Sequence, residues 1–101
     1  MSFPIGGTPD CEFKIPFIEA EISDFIVSFS QKGNVLVRKR KKDCIVKDNH
    51  ISVHISQEES LKFDYNNIIE MQIKVKMLNG KVRPSNIMFD TPEKCIDKEV
   101  V

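Results

Sequence analysis

A strict alternation of apolar and polar residues over positions 69–77 constrains the fold more than any other feature of the chain. The odd-numbered positions hold Ile, Met, Ile, Val and Met, and the even-numbered positions hold Glu, Gln, Lys and Lys. Alternate residues of a β-strand point to opposite faces, so this period of two predicts a strand with one buried face. Asn79 and Gly80 follow, and this pair favours the two positive-φ positions of a type I′ turn. Residues 68–89 therefore predict a β-hairpin.

Further alternating runs extend this prediction to the whole chain. Residues 11–17, 25–30 and 51–55 each carry apolar side chains at every second position. Several short strands with one-sided patterning predict an all-β fold, an antiparallel β-sandwich of Ig-like type with six or seven strands. The residues on the apolar phase should form the core: Phe13, Ile15, Phe25, Val27, Phe29, Val53, Ile55, Met71, Ile73 and Val75.

Two local signals separate the predicted strands. Residues 31–34 read Gln-Lys-Gly-Asn and predict the turn of a second hairpin. Ser56 followed by Glu59 fits a capping box, in which each side chain bonds the other residue's backbone N–H. We expect one short helical turn there, which buries Leu61 or Phe63.

The two ends of the chain carry different signals. Residues 1–10 contain two prolines and two glycines, which predicts a flexible N-terminal arm before a single domain at 11–101. Thr91 before Pro92 matches a helix start, and a short strand is the alternative for residues 91–101.

Composition bears on the class of protein and its compartment. The 101 residues are the length of one domain, and the formal net charge of +0 provides no global attraction to nucleic acid or membrane. Three cysteines, well separated in sequence, do not suit a disulfide scaffold and favour a reducing compartment. No segment resembles a signal peptide or a membrane span. We expect a protein that is cytoplasmic when synthesised, without membrane contact.

No residue pattern predicts catalysis, a cofactor or a metal. His50 and His54, with Cys44 nearby, are the strongest metal candidates. Residues four apart in a strand lie roughly 13 Å apart, whereas each zinc ligand must lie about 2 Å from the ion. The chain also lacks a Gly-rich phosphate loop, a Gly-x-Ser-x-Gly motif and a cysteine–histidine signature. The expectation is a protein that is not an enzyme, with no catalytic, cofactor-binding or metal-binding residue.

Five consecutive basic residues form the one conspicuous charge run: Arg38, Lys39, Arg40, Lys41 and Lys42. Such a run could contact a phosphate backbone. No aromatic residue flanks it, which weakens the case for single-stranded nucleic acid. We expect a solvated hairpin end, with nucleic-acid contact as the alternative, and the acidic residues of segment 1–31 offer another partner within or between subunits.

Four apolar residues fall on the outward phase of the predicted strands: Ile26, Leu36, Ile68 and Leu78. Clustered on a surface, they would form an apolar patch of the kind that marks a partner interface. These residues predict contact with another protein chain, either identical or different, through faces rather than backbone pairing.

Three segments of the chain carry a resemblance to known sequences: Phe-Lys-Ile-Pro-Phe at 13–17, the strand and Ser-Gln-Glu-Glu-Ser-Leu-Lys-Phe at 51–63, and the alternating run at 69–81. Together they resemble a group of small uncharacterised proteins encoded in prophage-like regions of Firmicutes genomes, near tail and baseplate components. The likeness covers most of residues 8–100 and implies no site residue. The resemblance implies a virion-associated or assembly role. With the absence of catalytic motifs, this leads us to expect a non-enzymatic structural or protein-interaction module associated with a phage tail or baseplate. A nucleic-acid-binding accessory protein that uses residues 38–42 is the alternative.

Overall fold

The computed structural model describes residues 2–101, and strands dominate this range. The elements are one short helix, α1 (Gln57–Ser60), two 3-10 turns at Glu19–Glu21 and Lys41–Asp43, and the following strands: β1 (Ser2–Pro4), β2 (Asp10–Lys14), β3 (Ile22–Gln31), β4 (Asn34–Arg40), β5 (Cys44–Lys47), β6 (His50–His54), β7 (Ile69–Met77), β8 (Val82–Pro84) and β9 (Met88–Glu93).

The strands form two sheets, which confirms the predicted all-β sandwich. The large sheet has the order β1-β9-β7-β3-β4, and β8 also pairs with β7. The small sheet has the order β2-β6-β5. All pairs are antiparallel except β1 with β9. The described chain thus has more strands than the six or seven predicted, because β1 and β8 span three residues each and carry no alternation to reveal them.

The core lies between the two sheets and contains every residue predicted for it. All ten are buried, and the prediction from the apolar phase of the strands is therefore confirmed. Phe3, Ile22, Ile51, Phe63 and Ile69 join them in the same cluster.

The N-terminal segment is part of the sheet, which corrects the prediction of a flexible arm at 1–10. Met1 lies outside the described residues, but β1 pairs with β9 and the Phe3 side chain is only 1% exposed. The backbone N–H of Gly6 also donates to Ser60 Oγ at 3.1 Å. Phe3 and Ile5 supply enough apolar surface to hold the segment, despite the glycines and prolines around them.

The second arm of the predicted 68–89 hairpin is divided into two strands. β8 and β9 both pair with β7, and Ser85 lies between them. Its backbone N–H donates to the Ile73 carbonyl at 2.7 Å, and its Oγ accepts from the Ile73 N–H at 3.0 Å. One serine therefore satisfies the backbone of β7 where the ladder is interrupted.

The turn of this hairpin is also not the predicted type I′. Gly80 has φ of +86°, but Asn79 is not in the positive-φ region. The N–H of Gly80 donates to the Met77 carbonyl at 2.9 Å, and the N–H of Met77 donates to the Lys81 carbonyl at 2.8 Å. The loop thus holds three residues and places Gly80 in the left-handed position, an alternative hairpin geometry.

The C-terminal strand replaces the predicted helix start at Thr91 and Pro92. Residues of β9 pair with β7 on one side, and Thr91 and Pro92 pair with β1 on the other. The alternative prediction of a short strand is therefore correct for residues up to Glu93, because this segment lies between β1 and β7 and pairs with both. The capping box is confirmed, since Ser56 Oγ accepts from the Glu59 N–H at 3.1 Å.

Candidate functional site

The outer face of the large sheet, which points away from the small sheet, is the surface on which three of the predicted contact residues meet: Ile26, Arg38 and Arg40. Odd-numbered residues of β3 and β7 such as Val27 and Ile73 are buried, so the even-numbered residues form the outer face. The register fixes which side chains are neighbours across the strands, because cross-strand partners share a face.

Three rows of side chains cross the outer face. The first joins Arg40 of β4, Ile26 of β3 and Lys74 of β7, and the second joins Arg38, Ser28 and Gln72. The third joins Val35, Ser30 and Glu70. Each row places a residue of β3 between one from β4 and one from β7.

These rows surround a depression of about 300 Å³ on the outer face. Its lining mixes apolar, hydroxyl, amide and charged side chains, including Ile26, Ser28, Val35, Arg38, Lys74 and Ile87. A neighbouring depression of about 190 Å³ shares Ile26 and Lys74 and adds Arg40. Apolar surface with basic side chains at its edge is suited to protein recognition.

Asp24 sets the electrostatics at one end of the outer face. Burial alone would raise its pKa, but the N–H groups of Phe25 and Lys41 and the charge of Arg40 together hold it below the ordinary value of 3.8. Asp24 is therefore a carboxylate at neutral pH. Its Oδ2 lies 3.5 Å from Nη1 of Arg40, so it orients that guanidinium on the sheet.

The structure divides the basic run instead of presenting it as one surface. Arg38 and Arg40 lie on the outer face, whereas Lys39 points to the other side and its Nζ lies 2.8 Å from Glu59 Oε1. Lys41 Nζ donates to the Ile22 carbonyl at 3.3 Å, and Lys42 is exposed in a 3-10 turn. Of the run expected to be a solvated hairpin end, Arg38, Arg40 and Lys42 are exposed, and Lys39 and Lys41 are half-buried. Alternation within β4 sends neighbouring side chains to opposite faces, as expected for a strand.

The four apolar candidates are not brought together. Ile26 is half-buried on the outer face, and Leu36 is half-buried at a bulge, where Val37 pairs with Phe29 and Val35 with Ser30. Ile68 and Leu78 are 53% and 69% exposed, but they flank opposite ends of β7. Ten residues of extended chain span roughly 33 Å, so Ile68 and Leu78 are too far apart to belong to one patch. Only Ile26 of the four lines either depression on the outer face.

Sequence reasoning missed several residues of the outer face: Ser28, Val35, Gln72, Lys74 and Ile87. The polar phase of 69–77 did mark Gln72 and Lys74 as outward-facing. Nothing in the sequence states the register between β3, β4 and β7, however, and the register decides which outward residues are neighbours.

The histidines lie on the outer face of the small sheet. His54 Nδ1 is 2.8 Å from Asp10 Oδ1, and His50 Nε2 is 4.0 Å from Glu12 Oε1. Both histidines belong to β6, as the alternation indicated. Within residues 2–101, no group of three or more His, Cys, Asp and Glu side chains is arranged to hold a metal ion.

The thiols of Cys11 and Cys44 are held in the protonated form at neutral pH. Burial is the main cause and raises the pKa of each to about 11, with further contributions from Asp90 and Asp10 at Cys11 and from Asp43 at Cys44. An activated nucleophile requires the opposite shift. Both cysteines pack against the core as small apolar groups.

Comparisons of the chain with protein-family models, with curated proteins and with solved structures find no match. None of the helices in the described part of the chain has the length and apolar character needed to span a membrane.

Proposed function

We propose that this protein is a non-enzymatic interaction module, and that the outer face of its large sheet binds an acidic surface of a partner protein. The observation that carries the proposal is the row in which Ile26 lies between Arg40 and Lys74, with Arg38 in the next row. Apolar contact supplies affinity in such an interface, and complementary charge supplies orientation and specificity.

Charge on the outer face favours a partner that presents carboxylates. Arg38, Arg40 and Lys74 border the two depressions, and Lys76 lines the smaller one. Glu70 and Asp24 are the carboxylates among the lining residues, so four positive charges face two negative ones. Val35, Val82 and Ile87 are exposed beside them and provide apolar surface that a partner would cover.

A titration with two defined peptides tests this proposal. One peptide alternates leucine with glutamate, and the other, of equal length, alternates leucine with lysine. We expect only the glutamate peptide to shift the backbone amide NMR signals of Ser28 and Gln72, since both lie in the central row. Equal shifts with both peptides, or no shift at millimolar peptide, would contradict the proposed partner chemistry.

Matched charge variants separate the outer face from general electrostatics. Arg38→Glu should abolish the shifts caused by the glutamate peptide. Lys42→Glu makes the same change of charge in the exposed 3-10 turn and should leave binding nearly unchanged. If both variants weaken binding equally, long-range attraction rather than the outer face accounts for it.

Nucleic acid is the second candidate, because Arg38 and Arg40 lie side by side with Lys74 on one surface. Lys39 points to the other side and pairs with Glu59, so the outer face presents fewer cations of the run to phosphates. Micromolar binding of mixed-sequence duplex DNA near physiological salt, lost in Arg38→Glu, would place this candidate first.

The proposed biological setting is a phage-like assembly, with virion association as its finer form. Its support is the resemblance of segments 13–17, 51–63 and 69–81 to proteins encoded near tail and baseplate components. Co-purification with tail proteins that depends on Arg38 and Ile26 would support this setting. Light scattering on the purified protein distinguishes binding between identical chains from binding to a different protein.

A further inference from the structure

β2 is an edge strand whose outward backbone groups have no partner in the described chain. It pairs with β6 alone, and the small sheet ends there. Ile15 N donates to the Asn49 carbonyl at 2.8 Å, and Ile55 N donates to the Pro9 carbonyl at 3.0 Å. Because ladder bonds recur at every second residue, Cys11 and Phe13 also bond inward. The N–H and C=O groups of Glu12 and Lys14 therefore point to the free edge.

Two depressions, which we together call the groove, lie between the β2 side of the small sheet and the strands β7, β8 and β9 of the large sheet. One part is a depression of about 230 Å³ lined by Phe13, Met71 and Phe89. The other is a depression of about 410 Å³ lined by Ile15, Val75 and Val82. Val82 and Phe89 are among the exposed large apolar side chains of the described residues.

The groove has opposite charge at its two ends. Glu12 and Asp90 line the first depression, where Asp90 adds to the effect of burial in raising the pKa of the partly buried Cys11 thiol. Arg83 lines the second depression, and Lys14 ends the strand on that side. A ligand that lies along the groove would thus be oriented by charge as well as held by apolar contact.

We propose that the free edge of β2 binds an extended peptide of a partner protein, which becomes a fourth strand of the small sheet. Backbone hydrogen bonds to Glu12 and Lys14 would supply affinity, as in other cases of strand addition. Every second side chain of the peptide would enter the groove, so these residues are apolar. The peptide carries a cation at the Asp90 end and a carboxylate at the Arg83 end. This surface shares Met71 and Val82 with the depressions of the outer face, so binding here is measured at the amides of Glu12 and Lys14.

NMR titration with the peptide acetyl-Glu-Val-Thr-Val-Thr-Val-Lys-amide tests the proposal. We expect shifts at the amides of Glu12 and Lys14 and slower hydrogen exchange at both, because strand addition pairs these N–H groups. The same peptide with two adjacent N-methylated central residues is the control, since it cannot pair through its backbone. Equal binding of the control, or no shift at β2 at millimolar peptide, overturns the proposal.

Two pairs of variants locate the binding. Glu12→Pro removes the outward N–H while keeping the bonds to β6, whereas Glu12→Ala removes only the side chain. Peptide binding should be lost in Glu12→Pro and kept in Glu12→Ala. Val82→Glu should weaken peptide binding about tenfold or more, equivalent to about 1.4 kcal/mol. Ile45→Glu makes the same kind of change on β5, which does not border the groove, and should leave peptide binding unchanged.

The folded state of each variant is checked from the dispersion of its amide spectrum. If Glu12→Pro fails to fold, Val82→Glu against Ile45→Glu decides the question. Binding by folded Glu12→Pro at the wild-type level overturns the proposal, as does an equal loss in Val82→Glu and Ile45→Glu.

Discussion

The ring of Phe3 lies 4.8 Å from the ring of Phe63, measured between centroids, with the two planes inclined at 57°. This contact joins β1 to the segment that follows α1, and Phe3 also packs 6.3 Å from Phe29. A buried Phe→Ala change typically costs 3–5 kcal/mol, and we expect Phe3→Ala to lower the free energy of unfolding by about that amount. Urea denaturation measures it.

The control for this prediction is the same substitution at an exposed phenylalanine. Phe89 is 63% exposed, so Phe89→Ala should cost less than about 1 kcal/mol. If Phe3→Ala were as mild as Phe89→Ala, residues 2–5 would not contribute to the core and the N-terminal segment would be a loose arm after all.

The sandwich and its core could be predicted because they depend on local alternation. β2, β3, β6 and β7 each have a run in which one face is apolar, and burial of that face determines the structure. β1 was missed because Phe3 and Ile5 are separated by a proline and followed by two glycines, which are signals typical of loops. Phe3 packs against Phe63, which is distant in sequence.

The candidate site was predictable only in part, because a surface depends on register. The sequence indicated Arg38 as a nucleic-acid contact and Ile26 as part of an apolar partner surface. The structure places both residues on one face. Leu36 was displaced by a bulge, and bulges leave no reliable mark in a single sequence. Alternation within β4 places Lys39 on the opposite face, but its ion pair with Glu59 joins separate elements and could not be predicted from the sequence.

Gln31 provides a prediction about a buried polar network. Its Nε2 donates to the carbonyls of Asp64 and Asn67 at 2.7 and 2.8 Å, and its Oε1 accepts from the Asp64 N–H at 2.7 Å. Gln31→Glu would turn a carboxylate toward two carbonyl oxygens. We expect a loss of about 2–4 kcal/mol near neutral pH, because a buried charge loses its solvation without gaining donors.

The pH dependence of this loss identifies its cause. When the new side chain is protonated it can donate to one of the two carbonyls, so the defect should shrink as pH falls. Denaturation of Gln31→Glu and wild type at about pH 7 and about pH 4.5 makes the comparison. A defect that is the same at both values would attribute it to packing rather than charge.

The ion pair of Lys39 and Glu59 predicts acid sensitivity. Burial would raise the pKa of Glu59, but the hydrogen bond from Lys39, the N–H of Ser56 and the Lys39 charge together lower it below 4.5. A lowered pKa in the folded state stabilises the protein above the unfolded value and loses that stabilisation as pH falls through the folded value. Stability should therefore decrease below about pH 4.5.

Lys39→Met tests the contribution of the pair. Its free energy of unfolding should fall less steeply between about pH 6 and about pH 3.5 than that of the wild type. The slope should persist in part, since Ser56 still donates to Glu59 and Asp24 has a lowered pKa as well. Lys42→Met, at an exposed lysine, should retain the full wild-type slope; a flattened slope in that variant would point to net charge instead.

The turn between β3 and β4 is where the type I′ geometry occurs, and it offers a route to greater stability. Lys32 has φ of +51° and Gly33 has φ of +77°, so both central residues occupy the left-handed region. Lysine is strained there, whereas asparagine tolerates this conformation. Lys32→Asn should raise the free energy of unfolding by about 0.5–1 kcal/mol, measured by urea denaturation.

Lys32→Ala is the control for this prediction, because alanine is strained in the same way and should bring no gain. An equal gain in both variants would attribute the effect to removal of the lysine charge rather than relief of the backbone.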